Sequence, residues 1–177
     1  MSITSRMLVL LSLGFALPLA AEDAAKSVFQ RSFADSFTSG ADKIVQLANA
    51  FSEEQLAWRP AAGVRSTREA IMHVAQANFF LGSRLGAKIP EGINPGEVEK
   101  FAGSKAEMVA LLKQSIDFAR EAVAAVPENE LGAEIAFFGQ RAPRMRFILI
   151  LDEHVHEHLG QLIAYARSNG VVPPWSQ

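Results

Sequence analysis

Three of the chain's four histidines lie in one short segment, Asp152-Glu-His-Val-His-Glu-His158. If that segment is helical, positions i and i+4 stand one above the other, so His154 and His158 face the same way. His156 then lies about 200° round from His154, at about 100° per residue. That turns it toward solvent, together with Glu153 and Glu157. The stripe carrying the pair runs Phe147, Leu151, His154, His158, Gln161 and Tyr165, a mixture of apolar and polar residues suited to an interior. Inward-facing imidazoles, an amide and a phenol cost on the order of a few kcal/mol each unless they find partners. A divalent metal ion would be such a partner. His73 poses a similar question, because Ala70, Val74, Ala77 and Phe80 surround it on the expected buried side of another helix. It reads either as a core histidine bonded to a backbone carbonyl or as a third ligand. An i,i+4 pair plus one more imidazole is the ligand set of many mononuclear sites that keep an open coordination position.

Other chemistries are harder to support. Zinc proteases place a general-base glutamate directly after the first histidine of His-Glu-x-x-His, and this chain has Val155 there. Glu157 points to a different side of the helix. No Gly-x-Ser-x-Gly elbow, phosphate loop or dinucleotide fingerprint is present. The chain has no cysteine, which excludes disulfides, a thiol nucleophile and thiolate ligands.

The elements that must position these residues are helical. A first helix is expected from about Ala25 to Ala50, with Phe29, Phe33, Phe37, Ile44 and Leu47 at three- or four-residue spacings and Ser39-Gly40 loosening its middle. Ser52-Glu-Glu-Gln55 opens a short helical turn that ends at Trp58-Arg59-Pro60. Ser66-Thr-Arg-Glu69 is a capping box that starts a second helix running to about Gly86. The stretch from Lys88 to Gly103 is rich in Pro and Gly and reads as a connecting loop, long enough to act as a lid or to cover one end of a bundle. A second box, Ser104-Lys-Ala-Glu107, starts a third helix that Pro127 stops. Between Pro127 and Pro143 the chain reads as a loop with an extended piece at Ile135 to Phe138. A last helix runs from about Pro143 to Asn169-Gly170. The expected fold class is all-α, a four-helix bundle.

Lys and Arg total 17 against 19 Asp and Glu, a net charge of -2, so the basic excess that serves phosphate-backbone binding is missing. Nucleic acid is not an expected partner. Residues 1–21 follow the plan of a cleaved secretory signal: Arg6, an apolar run from Met7 to about Ala16, Pro18, then Ala20 and Ala21 at the cut. That run falls short of the roughly 20 residues needed to span a bilayer, and no cysteine is available for a lipid anchor. The expected mature domain is 22–177, exported to the periplasm without a stable membrane anchor.

Two blocks carry a family resemblance. One is Leu56-Ala-Trp58-Arg-Pro60 followed by Ser66 and Glu69-Ala-Ile-Met-His73. The other is His154-x-x-x-His158-x-Gly160-Gln161, running on through Tyr165-Ala-Arg167-x-Asn169-Gly170 to Pro173-Pro174. In these the chain resembles the DinB-like (YfiT-like) helical bundles over nearly all of the mature sequence. The resemblance implies a four-helix bundle and a metal site of His73, His154 and His158 holding nickel, zinc or iron, in a protein that often forms a homodimer. Relatives of known activity are metal-dependent thiol transferases and isomerases that use low-molecular-weight thiols such as bacillithiol or mycothiol, and the expected function here is a metal-dependent enzyme of the thiol transferase or hydrolase class acting on a small molecule. A non-catalytic exported protein in which the ion pins the bundle is the alternative. The family often has a histidine before and an arginine after the last ligand, where this chain has Glu157 and Leu159. Gln161 and Tyr165 are candidates for orienting the ligands, and Trp58 and Arg59 for bordering the site.

Overall fold

The computed structural model describes residues 26–137 and 139–176; the expected signal segment, residues 1–21, lies outside them, as does Phe138. Four long helices make the bundle: α1 (Val28–Ala50), α3 (Thr67–Arg84), α5 (Lys105–Ala124) and α6 (Arg144–Ser168). Two short helices, α2 (Glu53–Ala57) and α4 (Pro95–Val98), lie in the connections. Helix α1 packs on α5 and α6, and α3 packs on the same two, so the four form a ring around one core. Phe37, Phe51, Phe79, Phe147, Met72 and Met108 fill that core. Among the described residues no helix is long and apolar enough to cross a membrane.

Local chemistry sets the helix starts. Capping boxes open α1 (Ser27 with Gln30), α2 (Ser52 with Gln55), α3 (Ser66 with Glu69) and α5 (Ser104 with Glu107). In each, side chains satisfy backbone N–H groups that the first helical turn leaves unpaired. The Ser27 box moves the start of α1 to Val28, three residues past the expected Ala25. Helix α3 ends just before Gly86, whose φ of 106° suits only glycine without strain.

Helix α1 is continuous through Ser39-Gly40, where a loosening was expected. Gly40 is buried instead because α6 passes against it: a Cβ there would meet Val155 Cγ1 at 2.9 Å and His156 Cε1 at 3.0 Å. The residue read as a weak point in α1 is therefore a contact point with the helix that carries His154.

Two connections hold more structure than expected. The segment from Pro127 to Pro143 contains an antiparallel hairpin, β1 (Glu134–Phe137) and β2 (Gln140–Pro143), in the register Ile135↔Ala142 and Phe137↔Gln140. A single extended piece had been expected there. The partner strand was hidden in Gln-Arg-Ala-Pro, which has neither alternation nor β-branched residues to announce it. The Lys88–Gly103 loop forms α4, which packs on α3 and buries Val98. Arg68 Nη1 donates to Gly103 O at 2.8 Å, which ties the end of this connection to the start of α3.

Candidate metal centre

Helix α6 presents His154 and His158 one turn apart, and α3 presents His73 across from them. One ring nitrogen from each lies within 4.8 Å of the others, an arrangement that could hold a metal ion. The ring centroids are 5.0 Å apart for His73–His154, 4.9 Å for His73–His158 and 4.4 Å for His154–His158. His156 stands apart as its helical phase requires: its side chain is 44% exposed and lies beside Asp152 on its own helix.

Hydrogen bonds settle which nitrogen faces inward. His158 Nδ1 lies 2.7 Å from Gln161 Oε1, Gln161 Nε2 donates to Tyr165 Oη at 2.9 Å, and Tyr165 Oη donates to Arg65 O at 3.2 Å. The order of this relay is forced. A backbone carbonyl only accepts, so the phenol must donate to it and accept from the Gln161 amide. The amide oxygen is then left for His158, whose Nδ1 must carry the proton. On His73, Nδ1 lies 2.8 Å from Glu99 Oε2, and an ionised carboxylate likewise only accepts. Both imidazoles thus keep the lone pair on Nε2.

Those lone pairs need an electrophile. His73 Nε2 and His154 Nε2 are 3.2 Å apart, and His154 Nδ1 is buried with no partner. A proton on His154 Nε2 would satisfy that one contact and no more. Two nitrogens bound to one ion at about 2.0–2.1 Å with tetrahedral angles would stand about 3.4 Å apart, close to the observed pair. The donor set and its spacing fit a first-row divalent ion.

Charge also favours one. Burial is the main reason the pKa of His154 is pushed down to about 3, helped by His158, His73 and Arg65. Burial also lowers that of His158, against an opposing pull from its bond to Gln161. Both rings are neutral at pH 7, the state a metal ligand requires. Burial would raise the pKa of Glu99, but hydrogen bonds from Arg65 and His73 outweigh it and hold the carboxyl below the usual range.

The other sequence candidates divide. Tyr165 is 7% exposed and belongs to the His158 relay. Trp58 packs edge-on against it at 5.2 Å between centroids, one step from the ligands. Arg59 turns away, donating to Val64 O at 2.7 Å and Glu69 Oε1 at 3.1 Å, and closes the loop before α3. The sequence reading missed Glu99 and Arg65. Glu99 sits 26 residues beyond His73 in a connection, where no periodicity points at a ligand. Arg65 directly precedes the Ser66 cap, and the capping pattern says nothing of its side chain.

Comparisons with known proteins agree with this architecture. The family model of the DinB superfamily matches residues 36–162, a span that includes all three inward histidines, and the chain belongs to that superfamily. A DinB-like protein from Bacillus cereus superposes with a TM-score of 0.70 at 20% identity, covering 81% of this chain and 95% of that one. A DinB-like protein from Bacillus subtilis gives 0.64 at 18% identity, covering 80% and 93%. These likenesses show the fold. No curated protein matches the chain.

Proposed function

We propose that this protein is a metal-dependent enzyme that holds one divalent ion, nickel, zinc or iron, through Nε2 of His73, His154 and His158 and acts on a small molecule by thiol transfer or hydrolysis. The observation that carries the reading is the meeting of two imidazole Nε2 atoms at 3.2 Å beside a third imidazole whose proton is committed to Gln161. When bound, the ion would supply Lewis acidity, polarising a substrate carbonyl or lowering the pKa of a bound water or thiol.

The chain's own groups define what else the site can do. Three neutral imidazoles leave the ion's full positive charge to act on substrate, which thiolate ligands would have reduced. Three protein ligands also leave coordination positions free, unlike a closed structural site of four. His73 and His154 are half-buried while His158 is buried, so a small molecule would approach from the side of His73 and His154. Gln161 and Tyr165 hold His158 in orientation behind it.

A second reading, in which the ion only pins the bundle, draws support from the ligands' origin on two packed helices, α3 and α6. Metal content of untagged protein, compared with a His154→Ala/His158→Ala double variant, tests the site itself. Equal content in both would remove it. Chelation then separates the two readings. Loss of thiol-transfer or hydrolase activity with a small change in melting temperature supports an enzyme, and a large fall in melting temperature without activity at any stage supports the pin. The proposal also places the mature chain, 22–177, in the periplasm, for which the N-terminal Arg6, apolar run and Ala20-Ala21 are the support; cell fractionation checks it.

A further inference from the structure

Glu99 belongs to none of the four bundle helices. It directly follows α4 in the connection between α3 and α5, yet its carboxylate reaches one of the inward histidines. Oε2 accepts from His73 Nδ1 at 2.8 Å and from Arg65 Nη2 at 3.2 Å, while Oε1 accepts from Arg65 Nε at 2.7 Å. We propose that Glu99, clamped by Arg65, is the positioning residue for His73: it fixes the proton on Nδ1, aims the Nε2 lone pair at the ion, and makes the α3–α5 connection a working part of the site. This rests on reading the three histidines as a metal site.

A neutral imidazole has one N–H, and an unconstrained ring divides it between both nitrogens. A carboxylate on Nδ1 removes that freedom and raises the basicity of the nitrogen opposite. The carboxylate must itself be held, and a planar guanidinium gripping both oxygens fixes its plane as a single point charge would not. Arg65 supplies that fork, and the backbone carbonyl of the same residue terminates the relay that fixes His158. One residue at the start of α3 therefore governs the proton positions of two of the three imidazoles, by its side chain for one and its main chain for the other. A role for Glu99 limited to stapling the loop would not need its oxygen on the His73 ring, because the Arg65 pair and the bond from Arg68 to Gly103 O already do that.

The test uses two readouts on the mature protein. In metal-free protein labelled with 15N at histidine, long-range proton–nitrogen correlation reports the His73 tautomer. Competition with a chromophoric chelator reports zinc affinity. The wild type should show His73 as the Nδ1–H tautomer. Glu99→Ala should shift His73 toward Nε2–H and lower zinc affinity about 10–100-fold. Glu99→Gln keeps one acceptor oxygen but loses the charge and one arm of the Arg65 fork, so it should fall between the wild type and Glu99→Ala in both readouts. Glu97→Gln, in the same connection and paired with exposed Lys100, should change neither. An unaltered tautomer and affinity in Glu99→Ala would overturn the role of Glu99 while leaving the metal site standing. So would an equal loss in Glu97→Gln, which would indicate a general effect of disturbing the loop. A wild type that takes up no ion would overturn the metal reading and this proposal together.

Discussion

His73 and His158 solve the same problem by different means. Each imidazole must keep its Nε2 lone pair free and its ring oriented, and each does so by donating Nδ1–H to an oxygen. For His158 the oxygen is the neutral amide of Gln161, three residues along the same helix, backed by Tyr165 one turn further. For His73 it is the ionised carboxylate of Glu99, brought from a separate connection and held by Arg65. The first device lies within α6 except for its last link, the Arg65 carbonyl that accepts from Tyr165 Oη and sets the direction of the relay. The second exists only when the α3–α5 connection packs correctly on α3. The α6 half of the site is therefore preorganised mainly by local structure, with one tertiary anchor at Arg65 O, and the α3 half by tertiary structure throughout.

The largest effect expected from breaking this comparison is loss of a ligand from the preorganised half. His158→Ala should weaken zinc binding by about 10²–10³-fold, the share of one ligand in a typical site, as measured by chelator competition. Gln161→Leu, which removes only the acceptor, should cost about 10–100-fold. Tyr165→Phe, one step further along the relay, removes two hydrogen bonds but leaves the Gln161 oxygen on His158, so it should cost less than Gln161→Leu, about threefold to tenfold in zinc affinity. A Tyr165→Phe loss equal to that of Gln161→Leu would mean that the relay acts as one rigid unit. Gly40→Ala forces a methyl into Val155 and His156 and so disturbs the α6 half from behind. Denaturant unfolding should show about 1–3 kcal/mol of destabilisation in metal-free protein, with no change in the His73 tautomer.

The gentlest test is pH. His154 has its folded pKa pushed down to about 3 against 6.5 unfolded, and that of His158 is lowered too. The unfolded chain then binds more protons, so the stability of metal-free protein is full above pH 6.5 and declines as pH falls below it. Glu69 and Glu99 have lowered values, so their contribution is kept until pH falls below about 4.5 and is lost only in more acid solution. Chemical denaturation at intervals between pH 7.5 and 5 should show the histidine decline alone. A flat profile would mean that these imidazoles are less buried than described.

The same division decided what was legible in the sequence. His154 and His158 follow from helical phase, which also excludes His156, and the cap signals at Ser66 and Ser104 placed the starts of α3 and α5 correctly. All of these are local. His73 could be given to a core bond or to an ion on its own pattern, and became a ligand candidate through resemblance to a family. Glu99 was invisible because its role depends on how a Pro- and Gly-rich connection folds back, which no period encodes. Gly40 was misread for a related reason: helix propensity counts glycine as weak, whereas its use here is the close approach of α6. The β2 strand escaped because its pairing, and no pattern of its own, makes it a strand.

Everything above turns on the proposed binding of one ion by Nε2 of His73, His154 and His158. Anomalous diffraction at the zinc edge from crystals of the zinc-loaded protein tests it most directly. A single strong peak is expected at about 2.0–2.2 Å from Nε2 of all three histidines, with the Nδ1 atoms of His73 and His158 still on Glu99 and Gln161. A peak at the exposed His156, or coordination through Nδ1, would contradict it.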